Sequence, residues 1–207
     1  MTYNLVAGKN LDRLAALSDG VFGVAMTLLV LDLRVPAVEA VRSEQDLWHA
    51  LVALAPRLVP YVMTFMTAGI FWVGQQAQLN FFERGDRNLT WINIGFLLVV
   101  TLTPFSTALL AQFITYRLAL VVYWLNIVLL GAMLLWSWGY ASRAGLIKET
   151  VPNDLRAAVV RRIVFAQALY AFGALLCIVN TYLSIGFIVL VQLNYVIAPR
   201  INALYRI

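Results

Sequence analysis

The feature that most constrains this chain is the length of its segments without any Asp, Glu, Lys or Arg. Positions 58–82, 88–116, 118–142 and 163–199 contain none of the four. A helix needs about 20 apolar residues to cross a hydrocarbon core of roughly 30 Å. The last segment has 37 residues, and as one helix it would reach about 55 Å at 1.5 Å per residue. It therefore divides into two spans joined near Asn180–Gly186, where Asn, Thr, Ser and Gly cluster. A further apolar stretch, Leu14 to Leu31, is interrupted only by Ser18, Asp19, Thr27 and two glycines. The pattern predicts a single-domain all-α membrane protein with six transmembrane helices, at about 13–33, 57–79, 90–111, 117–140, 159–180 and 184–204.

Composition agrees. Of the residues, 62% are hydrophobic and 12% charged, against roughly 45–50% and 25% in soluble domains. A soluble enzyme, a disordered chain and a nucleic-acid-binding domain all fit poorly, although the net charge is +5. The basic residues sit in short clusters between apolar runs, as membrane topology requires. With six spans, one side holds Lys9, Arg13, Arg84, Arg87, Arg143, Lys148, Arg156, Arg161, Arg162, Arg200 and Arg206. The other holds only Arg34, Arg42, Arg57 and Arg117. Both termini are expected in the cytoplasm and the chain in the cell membrane. Asp19, in the middle of the first apolar run, argues against a cleaved signal segment. One cysteine (Cys177) and one histidine (His49) leave no disulfide and no metal site to build.

The first span carries the most information. A carboxylate inside a span is costly and normally faces protein or water. At about 100° per residue, Thr27, Leu28 and Leu31 fall within roughly 60° of the Val24 direction. Ser18 and Asp19 point elsewhere, by roughly 120° and 140°. One face would then line something, while the other locks the helix to its neighbours. Spacing alone also allows Val24, Leu28 and Leu31 to be ordinary packing residues.

The segment Arg13-x-x-x-Leu17-Ser18-Asp19-Gly20 resembles the Arg-x-x-x-Phe-Ser-Asp-Gly signature of the transmembrane protein 175 family, the lysosomal potassium channel and its bacterial relatives. Leu17 stands in place of the Phe. Tyr61, Phe65, Gly69 and Trp72 match the second-span pattern. Asn93, Phe96, Leu97 and the run Thr103 to Leu110 match the third. The family's His pair after the Trp is replaced by Gln75 and Gln76, so a pH response that depends on imidazoles is not expected. The resemblance implies a potassium-selective cation channel, a homotetramer in the lipid bilayer with the first helix of each subunit lining a central pore. It implies an apolar constriction at Val24, Leu28 and Leu31, which is the stripe found by geometry. It implies no cofactor and no bound metal beyond potassium as the permeant ion. The carbonyl filter Thr-Val-Gly-Tyr-Gly is absent from the sequence.

Thr27, on the same face, offers oxygens to a partly dehydrated cation or bonds back to its own helix. Arg13 is a boundary anchor or, as the resemblance suggests, part of a network around the motif. Trp72, Gln75, Gln76 and Asn93 are the expected hydrogen-bond partners of Ser18 and Asp19, with Gly20 completing the motif. Asp32, about 80° from Val24, ends the first helix near a mouth. Ser43-Glu44-Gln45-Asp46 before Leu47, Trp48, Leu51 and Val52 predicts a short capped interfacial helix. Trp48, Trp91, Trp136 and Trp138 are expected in the interfacial belts. Cys177 is expected to pack, Pro104 to kink the third span, and Pro199 to weaken the last.

Other classes fit less well. An intramembrane enzyme would need a nucleophile and base at membrane depth, and no His, Glu or Lys lies within an apolar run. A proton-coupled transporter built around Asp19 would usually show broken helices in repeated halves, and no repeat is evident. A non-conducting structural subunit is the remaining alternative.

Overall fold

Asn10 starts the first helix. Its side-chain oxygen accepts the Arg13 backbone N–H at 2.9 Å, the usual N-cap arrangement. From there a computed structural model describes residues 10–197. Helix α1 (Leu11–Leu28) continues into a 3-10 turn, Leu29–Asp32. A linker leads to the short helix α2 (Glu44–Ala53), capped by the Ser43 hydroxyl, which accepts the Asp46 N–H at 3.1 Å. There follow α3 (Ala55–Phe81), α4 (Arg87–Thr101), α5 (Thr103–Gln112), α6 (Arg117–Arg143), α7 (Asn153–Leu175) and α8 (Thr181–Ile197).

Five stretches are long and apolar enough to cross a membrane: Leu11–Asp32, Ala55–Phe81, Arg87–Gln112, Arg117–Arg143 and Asn153–Ile178. Thr181–Ile197 is apolar too but shorter, at 17 residues. Lys9, Pro199, Arg200 and Arg206 lie outside the described residues.

Pro104 interrupts the third span as expected. It sits in the first turn of α5, and the backbone leaves regular α geometry at Leu102. There the Val99 carbonyl accepts the Asn126 side-chain amide at 3.1 Å. The long apolar run breaks at Asn180, whose side chain accepts the Tyr182 N–H at 2.7 Å. The break is shorter than the sequence suggests, since Ser184 and Gly186 already lie inside α8. Ser184 donates its hydroxyl to the Gly173 carbonyl at 2.6 Å. Gly173 has no Cβ where one would meet Ile188 at 2.9 Å and Phe187 at 3.0 Å, so α7 and α8 pack closely. Helix α7 begins at Asn153 rather than near 159. Hydropathy marks where a helix enters the membrane, and this one starts earlier, behind Pro152.

Two apolar cores lie along the bundle. The larger gathers Phe22 of α1, Met63 and Phe71 of α3, Phe96 of α4, Leu110 of α5, Tyr123 and Leu130 of α6, Tyr170 of α7 and Ile188 of α8. The smaller joins Leu14, Leu79, Phe82, Leu89, Trp138, Ala141, Leu146, Ile147 and Val151. It brings together the start of α1, the connection after α3 and the connection after α6. These are three of the segments that the Lys/Arg pattern assigns to one side.

Backbone bonds fasten the same end. Glu83 N–H donates to the Leu146 carbonyl at 2.8 Å and Lys148 N–H to that of Phe81 at 3.0 Å. The Lys148 ammonium donates to the Asn80 carbonyl at 2.8 Å, a cation at a helix C-terminus. Gly145, at φ +65°, lets the chain reverse after α6, and Leu146 N–H then returns to the Ala141 carbonyl at 2.9 Å. At the opposite end Arg117 donates to the Ile178 carbonyl at 2.9 Å.

One belt assignment is corrected. Trp138 is 2% exposed and packs against Phe81 and Phe82, with ring centroids 6.0 Å apart in both pairs. Two positions away, Trp136 faces outward at 56%. The two residues differ by about 200° around α6, so only one can reach the surface. Trp48 and Trp91 are also exposed, and Cys177 is buried. Trp138→Ala should therefore lower stability by about 3 kcal/mol, through the cavity it leaves. Trp136→Ala should change little. Thermal unfolding of the two variants in mild detergent checks this; equal midpoints would contradict the packing.

Candidate functional site

Helix α1 has two unlike faces. Leu14, Ser18, Phe22, Ala25 and Leu29 turn into the subunit and are buried. On the outward side Val24 is 59% exposed, Leu28 45% and Leu31 69%. Gly20 lies on this side, and a Cβ there would meet nothing within 4 Å. Ala16, Leu17, Gly20, Val21, Val24 and Leu28 form one wall of an open apolar groove whose other wall is Thr101 and Pro104. Among the described residues no ionisable side chain lines it.

Asp19 sits at the margin between the two faces. One carboxylate oxygen, Oδ1, accepts the Trp72 indole N–H at 2.8 Å and the Gln76 amide at 2.9 Å. Both donors come from α3, four residues apart, so they stand on one side of that helix. The sequence-based pairing of Asp19 with Trp72 and Gln76 is found as expected. This clamp holds α1 against α3 and keeps the carboxylate off the Val24 direction.

Four other expectations are corrected. Ser18 is fully buried and its hydroxyl has no hydrogen-bond partner among the described residues. Gln75 donates to Asn93 Oδ1 at 3.2 Å, and Asn93 donates to the Leu89 carbonyl at 2.9 Å and to Ser137 at 3.4 Å. That pair ties α3 to α4 and α6 and does not reach Ser18 or Asp19. Gln75 lies about 100° around α3 from Gln76, which turns it away from α1. Arg13 is exposed, and among the described residues only its backbone N–H is engaged, by Asn10. It lies six residues before Asp19, about 9 Å along the axis, so its role in the network is not found.

The 3-10 turn at Leu29–Asp32 changes two directions. At about 120° and 2.0 Å per residue, it brings Leu31 into line with Leu28 and lengthens the Val24–Leu31 rise to roughly 12 Å. It also swings Asp32 to about 160° from Val24, and Asp32 is half-buried rather than aimed along the stripe. Thr27 resolves to back-bonding: its hydroxyl contacts the Gly23 and Val24 carbonyls, both at 2.9 Å. Its proton is used there, while the oxygen stays on the exposed face.

Sequence reasoning missed a buried hydroxyl cluster in the middle of the bundle. Thr107 donates to Thr64 at 2.8 Å, Thr67 contacts the Tyr123 hydroxyl at 3.0 Å, and Gln192 donates to Thr67 at 2.6 Å. It links α3, α5, α6 and α8. The signal was Thr64/Thr67 and Thr103/Thr107 at helical spacing inside apolar runs. Among the described residues no group of three or more His, Cys, Asp or Glu side chains comes together to hold a metal ion.

A bundle of long apolar helices, whose first helix is clamped by a carboxylate on one flank and bare and apolar outward, defines a multi-pass helical membrane protein. The family model described as "Endosomal/lysosomal potassium channel TMEM175" matches residues 13–104. A potassium channel of Streptomyces collinus is 34% identical over 192 residues, covering 90% of this chain and 84% of the relative. A potassium channel of Chamaesiphon minutus is 29% identical over 178 residues, covering 84% and 87%. The crystal structure of a lysosomal potassium-selective channel TMEM175 homolog from Chamaesiphon minutus superposes with a TM-score of 0.77 at 26% identity, over 91% of this chain and 97% of that one. The chain belongs to the TMEM175 family, which is a family of ion channels.

The clamp makes its own prediction. Trp72→Phe keeps the ring but leaves Oδ1 of Asp19 with one donor. A hydrogen bond to a charged group contributes about 1.5–3 kcal/mol, so the variant should unfold earlier in detergent. Asp19→Ala, which strands both donors, should lose more, and Asp19→Asn, which retains an acceptor, less than Ala. A Trp72→Phe midpoint equal to the parent's would show that the clamp does not hold α1.

Proposed function

We propose that the chain is one subunit of a potassium-selective cation channel, four copies of which surround a central pathway lined by α1. The observation that carries this reading is the outward face of α1, where Val24, Leu28 and Leu31 are all exposed while the opposite face is buried. A bare apolar stripe on one helix cannot enclose a conduit alone, and cyclic symmetry is the common way to close one. Stacked at successive turns of helix, the three side chains form three rings. Such rings give an ion no substitute for its hydration shell, so a narrow set is a barrier that opens by widening or wetting. Thr27 places an oxygen between them.

The relatives from Streptomyces and Chamaesiphon support potassium as the permeant ion. No cofactor enters this reading. The Lys/Arg distribution supports a cell-membrane location with six crossings and both termini in the cytoplasm; in that arrangement the end built around Leu14, Phe82 and Ile147 faces inward. Asp19 anchors α1 and does not coordinate the ion, which separates this reading from a proton-coupled transporter.

Mass measurement in nanodiscs should give four copies, and a conducting monomer would contradict the assembly. In liposomes Leu28→Ala and Leu28→Asn should each raise cation flux several-fold, with sodium rising proportionally more than potassium. Met26→Ala, on the flank packed against the subunit core, should not. Flux through the Leu28 variants equal to the parent's would remove the constriction from α1.

A further inference from the structure

Among the described residues, helix α2 buries no side chain against the rest of the subunit. Apart from Ala50, every residue of Glu44–Ala53 is exposed, and none is buried. Its large apolar side chains are not scattered. At about 100° per residue Leu47, Leu51, Trp48 and Val52 occupy one arc of roughly 140°; Glu44, in the first turn, falls within it, while Asp46 and His49 lie outside it. Exposures of 65% at Trp48 and 52% at Val52 make this a wide apolar surface on a ten-residue helix. The helix is well formed despite standing apart. The Ser43 hydroxyl caps its start, and Asp46 accepts the Arg42 N–H at 3.2 Å.

Its position says what covers that surface. α2 connects two membrane-crossing stretches, Leu11–Asp32 and Ala55–Phe81, and it joins the second through Leu54 alone. It must therefore lie at the level where α3 enters the bilayer. The first turns of α3 carry their own outward apolar residues, Leu58, Val59, Val62 and Phe65. α2 therefore adjoins an outward apolar stretch of a membrane-crossing helix. A short helix with a Trp-bearing apolar arc and a polar back, fixed at that depth, satisfies the requirements for lying in the interface plane.

We propose that α2 is a bilayer-docked helix, its Leu47–Trp48–Leu51–Val52 arc seated at the headgroup–acyl boundary of the leaflet at that end, with Asp46 and His49 toward water. The occupant of this surface is lipid, not a second copy of the chain. The proposal does not depend on the ion that the protein conducts.

The test reads depth and not flux. With Cys177→Ala as background, a bimane probe is placed on Leu51→Cys or on His49→Cys. Each labelled protein is reconstituted into phosphatidylcholine–phosphatidylglycerol vesicles containing lipid brominated near the headgroup end of the acyl chain. The probe at position 51 should be quenched at least twofold more than the probe at position 49. A second measurement needs no label: Trp48→Phe should reduce the share of intrinsic tryptophan fluorescence that the brominated lipid quenches. The proposal is overturned if both probes are quenched alike and weakly. That result with red-shifted emission would place α2 in water; with blue-shifted emission it would place the arc against another copy. It is overturned equally if Trp48→Phe leaves the quenched share unchanged.

Discussion

Inside a bilayer every backbone polar group must find its partner within the protein, because no water is there to replace it. Long helices meet that condition by themselves, and the architecture is set by the places where they do not. At Leu102–Pro104 the Val99 carbonyl takes Asn126. Where α7 ends, Arg117 caps Ile178. Where α3 ends, Lys148 caps Asn80. Arg156 does the same for Val151 and Lys148, at 3.2 Å each. Each repair is made by a different helix or loop. Satisfying the backbone therefore also staples the bundle, in mid-span at Val99 and near its ends at Ile178 and Asn80.

Within that frame α1 is held unusually. Leu14 enters the smaller core and Phe22 and Ala25 the larger, with Leu11, Ala15, Val21 and Met26 packed against them, and the Asp19 carboxylate secures the flank by two hydrogen bonds from Trp72 and Gln76. A helix that packs one stripe and carries large apolar side chains on the other is anchored but not enclosed. The carboxylate, which the sequence places on the locking face, is used for the anchoring. The apolar residues are left for whatever the free face meets. This division of labour is the physical basis of the channel reading. The proposed function takes Val24, Leu28 and Leu31 as the resistance to ion passage and Asp19 as mechanical support.

How much of this could be read from the sequence depended on which physical rule each residue obeyed. Five of the six expected spans have long apolar helices in the structure, and the largest difference in bounds is at Asn153, where the helix starts before its apolar run. The pairing of Asp19 with Trp72 and Gln76 was legible because a carboxylate in a span needs donors and few were on offer. Gln75 and Asn93 were assigned to the same cluster wrongly, because adjacency in sequence is a 100° turn on a helix. Asp32 was misdirected because nothing local announces a 3-10 turn. Trp138 was misplaced because an aromatic near a span end reads as a belt residue whichever way it points. The Thr64–Thr67–Thr107–Tyr123–Gln192 cluster went unseen because its members lie on four different helices, and only the fold brings them together.

The central claim is that α1 lines the conducting path, and modification of Leu28→Cys during single-channel recording tests it most directly. The subunit's own Cys177 is buried and serves as the background. A small water-soluble methanethiosulfonate reagent added to the reconstituted variant under a potassium gradient should change the unitary current in discrete steps, up to four, and leave the parent unaffected. Potassium current that continues unchanged after mass spectrometry shows the introduced thiol fully modified would contradict the account, because the ions would then be passing somewhere that Leu28 does not face.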